Sequence, residues 1–215
     1  NDLDVTRLII DRYYHTLADS TESDVVIVGA GPSGLVAGQI LAEKGYRVVI
    51  FEKRLSPGGG IWGGGKGMNY VVLEEEVAPL LDYADIKYDK DGRYLIVSSL
   101  LLASSLIKKA IDSGVTIFNL CAIEDVYFNS DRKLAGVVVN DSAYNSTHLH
   151  VDPLTFLARV VIDSTGHESI VANCLAKRDM LLLKGEDTMN AQMGEMGVIE
   201  NTKEIYPGLV VTGMA

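Results

Sequence analysis

The sequence predicts an α/β protein with a doubly wound, Rossmann-like dinucleotide-binding fold and a small β extension. Three observations carry that reading. Residues 24–28, an apolar β-type run, feed straight into Gly29-Ala30-Gly31-Pro32-Ser33-Gly34, and a helical pattern follows. This is the G-x-G-x-x-G fingerprint in the strand–turn–helix context that gives it meaning. Eighteen residues after Gly34, closing the next apolar run, stands Glu52. Strand-like and helix-like segments then alternate through the rest of the 215 residues.

The elements follow in chain order. Leu8, Ile9, Tyr13 and Leu17 recur at helical spacing, so residues 3–18 are predicted to form an amphipathic lead-in helix. Strand 24–28, helix 33–44 and strand 47–51 make a βαβ unit. Residues 56–67 hold seven glycines, too many to build a core, and read as a loop kept for close backbone approach or mobility. A helix near 74–83 and a short strand near 94–97 come next. Ser98 or Ser99 N-caps the following helix, which stops at Gly114. Strand 115–119 leads to a pair, 122–128 and 134–140, with a turn at 129–133. The apolar run 159–164 ends in Ser164-Thr165-Gly166 and precedes a helix at about 168–177. Residues 179–207 are polar and resist assignment, and 208–211 form a last strand.

A chain of this length buries one substantial core, so residues 1–215 are predicted to be a single NAD-binding domain carrying the N-terminal helix. The formal charge of −10 argues against nucleic acid or an anionic membrane as partner. Cys121 and Cys174 lack metal-site or disulfide spacing, which places the chain in a reducing cytoplasm. No apolar run is long enough to span a bilayer. The chain opens on Asn1 and stops just after a strand-like segment, so further residues are expected at both ends.

Gly29 permits the tight turn, Gly31 lets backbone approach a pyrophosphate, and Gly34 lets helix and strand pack closely. The helix start offers free N–H groups to phosphate. A carboxylate at Glu52 can accept both ribose hydroxyls of an adenosine and would repel a 2′-phosphate. These residues together call for an ADP-containing dinucleotide. The strand ending in Ser-Thr-Gly and the late Pro-Gly-Leu-Val-Val-Thr-Gly segment resemble flavoproteins of the glutathione-reductase-like type. Such proteins carry an acid after the last glycine to bind the ribityl chain; here Met214 stands there and cannot accept that bond, which disfavours flavin.

His148-Leu149-His150-Val151-Asp152-Pro153 is the second unusual stretch. In an extended chain positions 148, 150 and 152 share a face, and Pro153 favours extension at Asp152. His167 follows at the start of a helix. Imidazole with carboxylate suits Fe, Mn, Zn or Co and leaves positions open for substrate. The plainer alternatives are a turn-capping Asp152 and solvated histidines.

With Gly29–Gly34, the run Phe51-Glu52-Lys53-Arg54-Leu55-Ser56-Pro57-Gly58-Gly59-Gly60-Ile61-Trp62-Gly63-Gly64-Gly65, Leu149-His150-Val151-Asp152-Pro153 and Asp163-Ser164-Thr165-Gly166-His167 on the page, the chain resembles the thiazole synthases of thiamine biosynthesis, most of all their archaeal and anaerobic bacterial branch. The resemblance runs over essentially the whole chain. It implies an enzyme that consumes NAD, releases nicotinamide, and builds ADP-ribose, glycine and a sulfur atom into an ADP-linked thiazole carboxylate. It implies that Ser33, Glu52, Lys53, Gly60 and Ile123 hold the adenosine diphosphate part, with Gly59 and Met214 also set against the nucleotide. Asp152 and His167 match the family's Fe(II) ligands. Fungal and plant members give up the sulfur of a cysteine two residues before the Asp-Pro; His150 occupies that place here, which implies turnover on free sulfide. His150 is then a proton carrier, or else a support for Asp152, and His148 is structural. The resemblance further implies a homo-octamer with sites shared between subunits.

Relatives of this kind continue into an Arg-Met-Gly-Pro stretch whose arginine holds the glycine carboxylate; that stretch lies outside this chain, so no residue is assigned to glycine. Residues 179–190 form a shorter segment than in those relatives. Three other functions compete on sequence alone: a flavin oxidoreductase, an isomerase of ribose 1,5-bisphosphate, and a non-enzymatic NAD sensor.

Overall fold

The computed structural model describes residues 1–147, 149–185 and 191–215. Helix α1 (Asp2–Asp19) begins with a capping box: the Asn1 side chain accepts the Asp4 N–H at 3.1 Å, and the Asp4 carboxylate accepts from the Asn1 amino group at 3.2 Å. No α1 residue is buried. Its apolar side touches the rest of the chain through Leu17 and through Tyr13, edge-on to Phe118 at 5.9 Å.

The βαβ unit forms as the sequence predicts, from β1 (Glu22–Val28), α2 (Pro32–Glu43) and β2 (Val48–Phe51). Pro32 sits in the first turn of α2, where its missing N–H costs nothing. A three-stranded antiparallel sheet follows: β3 (Tyr70–Glu74), then, after α3 (Ala78–Tyr83), β4 (Asp89–Asp91) and β5 (Tyr94–Ser98), in the order β3-β5-β4. The helix expected near 74–83 forms as a 3-10 turn, Glu75–Val77, that runs into α3. The strand before it was not expected: the Tyr-Val-Val-Leu run pairs with β5. Ser98 N-caps α4 (Ser99–Asp112), its hydroxyl accepting the Leu101 N–H at 3.4 Å.

The chain then runs through β6 (Thr116–Phe118), β7 (Cys121–Phe128), β8 (Leu134–Asp141), α5 (Ser142–Thr147), β9 (Leu154–Asp163), α6 (Ile170–Ala176), α7 (Ala191–Asn201), β10 (Lys203–Tyr206) and β11 (Leu209–Val211). The parallel order is β11-β9-β1-β2-β6, with β10 antiparallel on β11. Strand β9 starts five residues earlier than its apolar run implied. Along one edge its first half pairs with β8 and its second half with β11, and β1 lies on the other edge. The β7–β8 hairpin is thus the expected β extension, joined to the parallel sheet through β9. The unassigned stretch 179–207 contains α7 and β10.

Apolar residues fill both faces of the parallel sheet. On one side Ile27, Leu35, Ile50, Ala103 and Leu106 pack β1 and β2 against α2 and α4. On the other, Phe51 lies between Phe156 at 4.7 Å and Phe118 at 5.7 Å, near Leu175 of α6. Beyond the first core, Glu43 at the end of α2 joins three elements. It accepts the Tyr83 hydroxyl at 2.7 Å, the Ser113 hydroxyl at 3.1 Å and the Gln39 amide at 3.3 Å, and Lys109 lies over the Tyr83 ring at 4.3 Å. The Tyr83 hydrogen bond is the largest cause holding the Glu43 carboxyl below its usual range. A lowered folded-state value stabilises above the unfolded carboxylate value and is lost as pH falls through the folded one. Tyr83→Phe should therefore lower the melting temperature at neutral pH, and the difference from wild type should shrink below about pH 4.

Candidate nucleotide and metal site

Val28, Phe51, Phe118, Asp163 and Val211 are register neighbours, so the parallel strands all end on one line. The loop after each of them carries polar chemistry. In open α/β sheets, ligands bind outside such carboxyl ends.

The fingerprint turn is built by close backbone approach. Gly29 takes φ +94°, its N–H donates to the Phe51 carbonyl at 2.8 Å, and a Cβ there would lie 2.7 Å from the Ser164 carbonyl oxygen. A Cβ at Gly34 would lie 2.2 Å from the Gly29 carbonyl oxygen. The Ser164 hydroxyl donates to the Val28 and Gly29 carbonyls at 2.8 and 2.7 Å, tying the end of β9 to the turn. No side chain caps the first turn of α2, so its N–H groups are left for an anion.

Glu52 is buried, and both of its oxygens are engaged: Oε2 accepts the Ala30 N–H and Oε1 the Arg54 N–H, each at 2.8 Å. One lone pair on each oxygen remains for a ribose hydroxyl. The glycine loop folds onto the fingerprint, with the Gly58 N–H donating to the Ala30 carbonyl at 2.7 Å and Gly59 facing Gly31. Trp62 closes the loop by donating to the Pro57 carbonyl at 2.6 Å. Strand β7 begins beside Glu52, because the Cys121 N–H donates to the Glu52 carbonyl at 2.9 Å; this brings half-buried Ile123 to the same end. Gly213 backs directly onto the Ser33 hydroxyl, and Met214 follows it, exposed. The structure thus places Gly29, Gly31, Ser33, Gly34, Glu52, Lys53, Gly59, Gly60, Ile123 and Met214 along this edge.

Lys53 has two ties. Its carbonyl accepts the Ser142 hydroxyl at 2.7 Å, and its ammonium pairs with Glu168. Glu168 belongs to the short 3-10 turn Gly166–Glu168 that carries exposed His167, so His167 stands at the same edge as the fingerprint. His150 and Asp152 come from the segment that leads into β9. Residues 149–153 enter β9 as coil, not strand, so no pleat sets their direction, and both side chains are exposed. This segment is held by Asn140, which donates to the Val151 carbonyl at 2.9 Å. Asp152 precedes β9 and His167 follows it. Among the described residues no three His, Cys, Asp or Glu side chains gather to hold a metal. His148 lies outside the described residues.

Sequence reasoning missed Asp163. It is fully buried and accepts four hydrogen bonds: Oδ1 from the Thr165 N–H at 3.1 Å and the Thr165 hydroxyl at 2.7 Å, and Oδ2 from the Val171 and Ala172 N–H groups at 2.8 and 3.0 Å. An acid ending an otherwise apolar strand, just ahead of a helix, was the available signal: a buried carboxylate needs donors, and a helix start supplies them.

Comparison with known proteins agrees with this geometry. The model of the Thi4 family matches residues 6–215. The thiamine thiazole synthase of Pyrococcus furiosus is 47% identical over 216 residues, covering 100% of this chain and 85% of that protein. That of Thermotoga maritima is 46% identical over 214 residues with the same coverage. The crystal structure of Thermovibrio ammonificans THI4 superposes with a TM-score of 0.95 at 37% identity, over 100% of this chain and 85% of that one. A geranylgeranyl bacteriochlorophyll reductase-like protein of Thermoplasma acidophilum, at 18% identity and a TM-score of 0.55, shares the fold.

Proposed function

Because this chain belongs to the Thi4 family, we propose that it makes the thiazole of thiamine as an ADP-linked 5-ethyl-4-methylthiazole-2-carboxylate, from NAD, glycine and free sulfide, with Fe(II) and with release of nicotinamide. The nucleotide edge supports the first part. The α2 N–H groups and fingerprint backbone bind the diphosphate, and Glu52 takes the ribose hydroxyls while locked to Ala30. These contacts fix the ADP end, so the nicotinamide ribose lies where the chemistry occurs.

Asp152 and His167 offer the carboxylate and imidazole donors that suit Fe(II), but on opposite ends of one strand. One donor from each of two chains would complete such a site, in accord with a homo-octamer whose sites are shared between subunits. Bound between them, Fe(II) would lower the pKa of sulfide and hold it near an electrophilic carbon. His167 orients from the fingerprint edge and Asp152 from the partner chain's β9 entrance. His150, two residues from Asp152, moves protons during the dehydrations.

The observation that carries the sulfide reading concerns the thiols. Burial, and then Asp141, push the Cys121 thiol up to about 11. Burial likewise raises Cys174 inside α6, with Asp125 adding to it. Neither thiol is a thiolate at neutral pH, and His150 has no sulfur to give. Both cysteines are free. Iodoacetamide at pH 8 should label both slowly against a free-cysteine peptide; fast labelling of Cys121 would show a thiolate there. The function itself is tested by incubating the protein anaerobically with NAD, glycine, sulfide and Fe(II) and weighing the products. Adenylated thiazole in molar excess over chains supports the reading, and intact NAD overturns it.

A further inference from the structure

We infer that Asp163 is the positioning residue for His167, acting through the turn it encloses; the inference rests on the reading of His167 as a metal ligand. Six residues, 164–169, separate the end of β9 from α6, and the only charged or imidazole side chains among them are His167 and Glu168. Asp163 fastens this turn at both ends. Its Oδ1 holds Thr165 on the way in, through main chain and hydroxyl, and its Oδ2 holds the Val171 and Ala172 N–H groups on the way out. The Thr165 hydroxyl also accepts the Ile170 N–H at 2.8 Å, so the two ends are joined directly.

Inside that frame the Ser169 N–H donates to the Gly166 carbonyl at 2.9 Å, with Ser169 at φ +40°. The Asn173 amide donates to the Glu168 carbonyl at 2.8 Å. A non-glycine residue in the left-handed region is a strained conformation that only an over-determined surround maintains. The fully buried Asp163 carboxylate touches both sides of this surround, and its own main-chain carbonyl accepts the Thr212 N–H at 3.0 Å from the neighbouring loop. Burying a carboxylate is costly, and four donors offset that cost. A cap for the seven residues of α6 needs only one or two of them. The bonds to Thr165 lie on the other side of His167, and they set where the imidazole emerges.

The test is Co(II) titration of the full assembled apoprotein, followed by visible absorption, with melting temperature and NAD affinity measured alongside. Groups that orient a metal ligand typically carry ten- to a hundredfold in metal affinity. Asp163→Asn should weaken Co(II) binding by about a hundredfold, since the amide cannot accept from all four donors. Where that variant fails to fold, Thr165→Val carries the test: it removes the hydroxyl that joins both ends, and it should weaken Co(II) by about tenfold, with NAD affinity held within about twofold. Thr165→Ser should restore Co(II) binding. A lowered melting temperature in Thr165→Val with wild-type Co(II) affinity would reduce Asp163 to a helix cap and overturn the inference. The His167→Ala control separates the two levels. If it weakens Co(II) and Thr165→Val does not, positioning alone fails; if His167→Ala binds Co(II) like wild type, the metal-ligand reading fails with it.

Discussion

Asp152→Ala and His167→Ala each abolish thiazole formation, yet chains carrying one substitution apiece recover about a quarter of the wild-type rate when co-expressed and assembled at random. This follows from the proposed sharing of the metal between two chains. Within one chain Asp152 precedes β9 and His167 follows it, and among the described residues no three His, Cys, Asp or Glu side chains gather to hold a metal. On that proposal a complete site needs Asp152 from one chain and His167 from its neighbour. In a random equal mixture about one pairing in four joins a chain with intact Asp152 to one with intact His167. If both donors came from one chain, no mixed assembly would hold a complete site, and activity would stay at the level of the single variants. Product formation in the co-purified mixture, measured by mass spectrometry against each variant alone, checks the prediction.

Gly34→Ala and Gly60→Val should both weaken NAD, for different physical reasons. A methyl carbon at Gly34 would sit 2.2 Å from the Gly29 carbonyl oxygen and 2.5 Å from the Ser164 hydroxyl. The first of these is backbone and cannot swing aside, so the fingerprint turn must open. Overpacking of this kind costs about 1–3 kcal/mol. The melting temperature should fall, and NAD affinity with it by about ten- to a hundredfold. At Gly60 a Cβ meets nothing within 4 Å, and φ is not in the left-handed region. Gly60→Val should melt like wild type and lose NAD affinity alone, because its side chain occupies only the space the nucleotide takes. Calorimetric titration with NAD beside thermal melting separates the two; normal NAD binding by Gly60→Val would remove Gly60 from the site.

The fold of the fingerprint edge was legible in the sequence because its physics is local. A glycine pattern between a strand and a helix, and an acid at the next strand's end, specify the tight turn, the helix start without a side-chain cap and the buried Glu52 carboxylate within 24 residues, from Gly29 to Glu52. The catalytic half was legible only as residue types. Spacing in sequence says that Asp152 and His167 are 15 residues apart; it does not say that ten of the intervening residues form a strand. The alternation argument at 148–152 met no strand over its described part: 149–153 carry no strand assignment, and the pleat starts only at Leu154. Asp163 went unnoticed because its partners, Val171 and Ala172, are apolar residues that contribute main-chain N–H groups, which no residue-type pattern reveals. Strand β3 went unread because pairing with β5, not local pattern, makes Tyr70–Glu74 a strand ahead of the expected helix.

The central claim is that the sulfur comes from solution, and isotope-labelled sulfide tests it most directly. The protein is incubated anaerobically with labelled sulfide, NAD, glycine and Fe(II), and both the thiazole and the intact chain are weighed. The account predicts label in every thiazole formed and an unchanged chain mass after many turnovers. Unlabelled sulfur in the product, with chains lighter by one sulfur and no more than one product per chain, would contradict it.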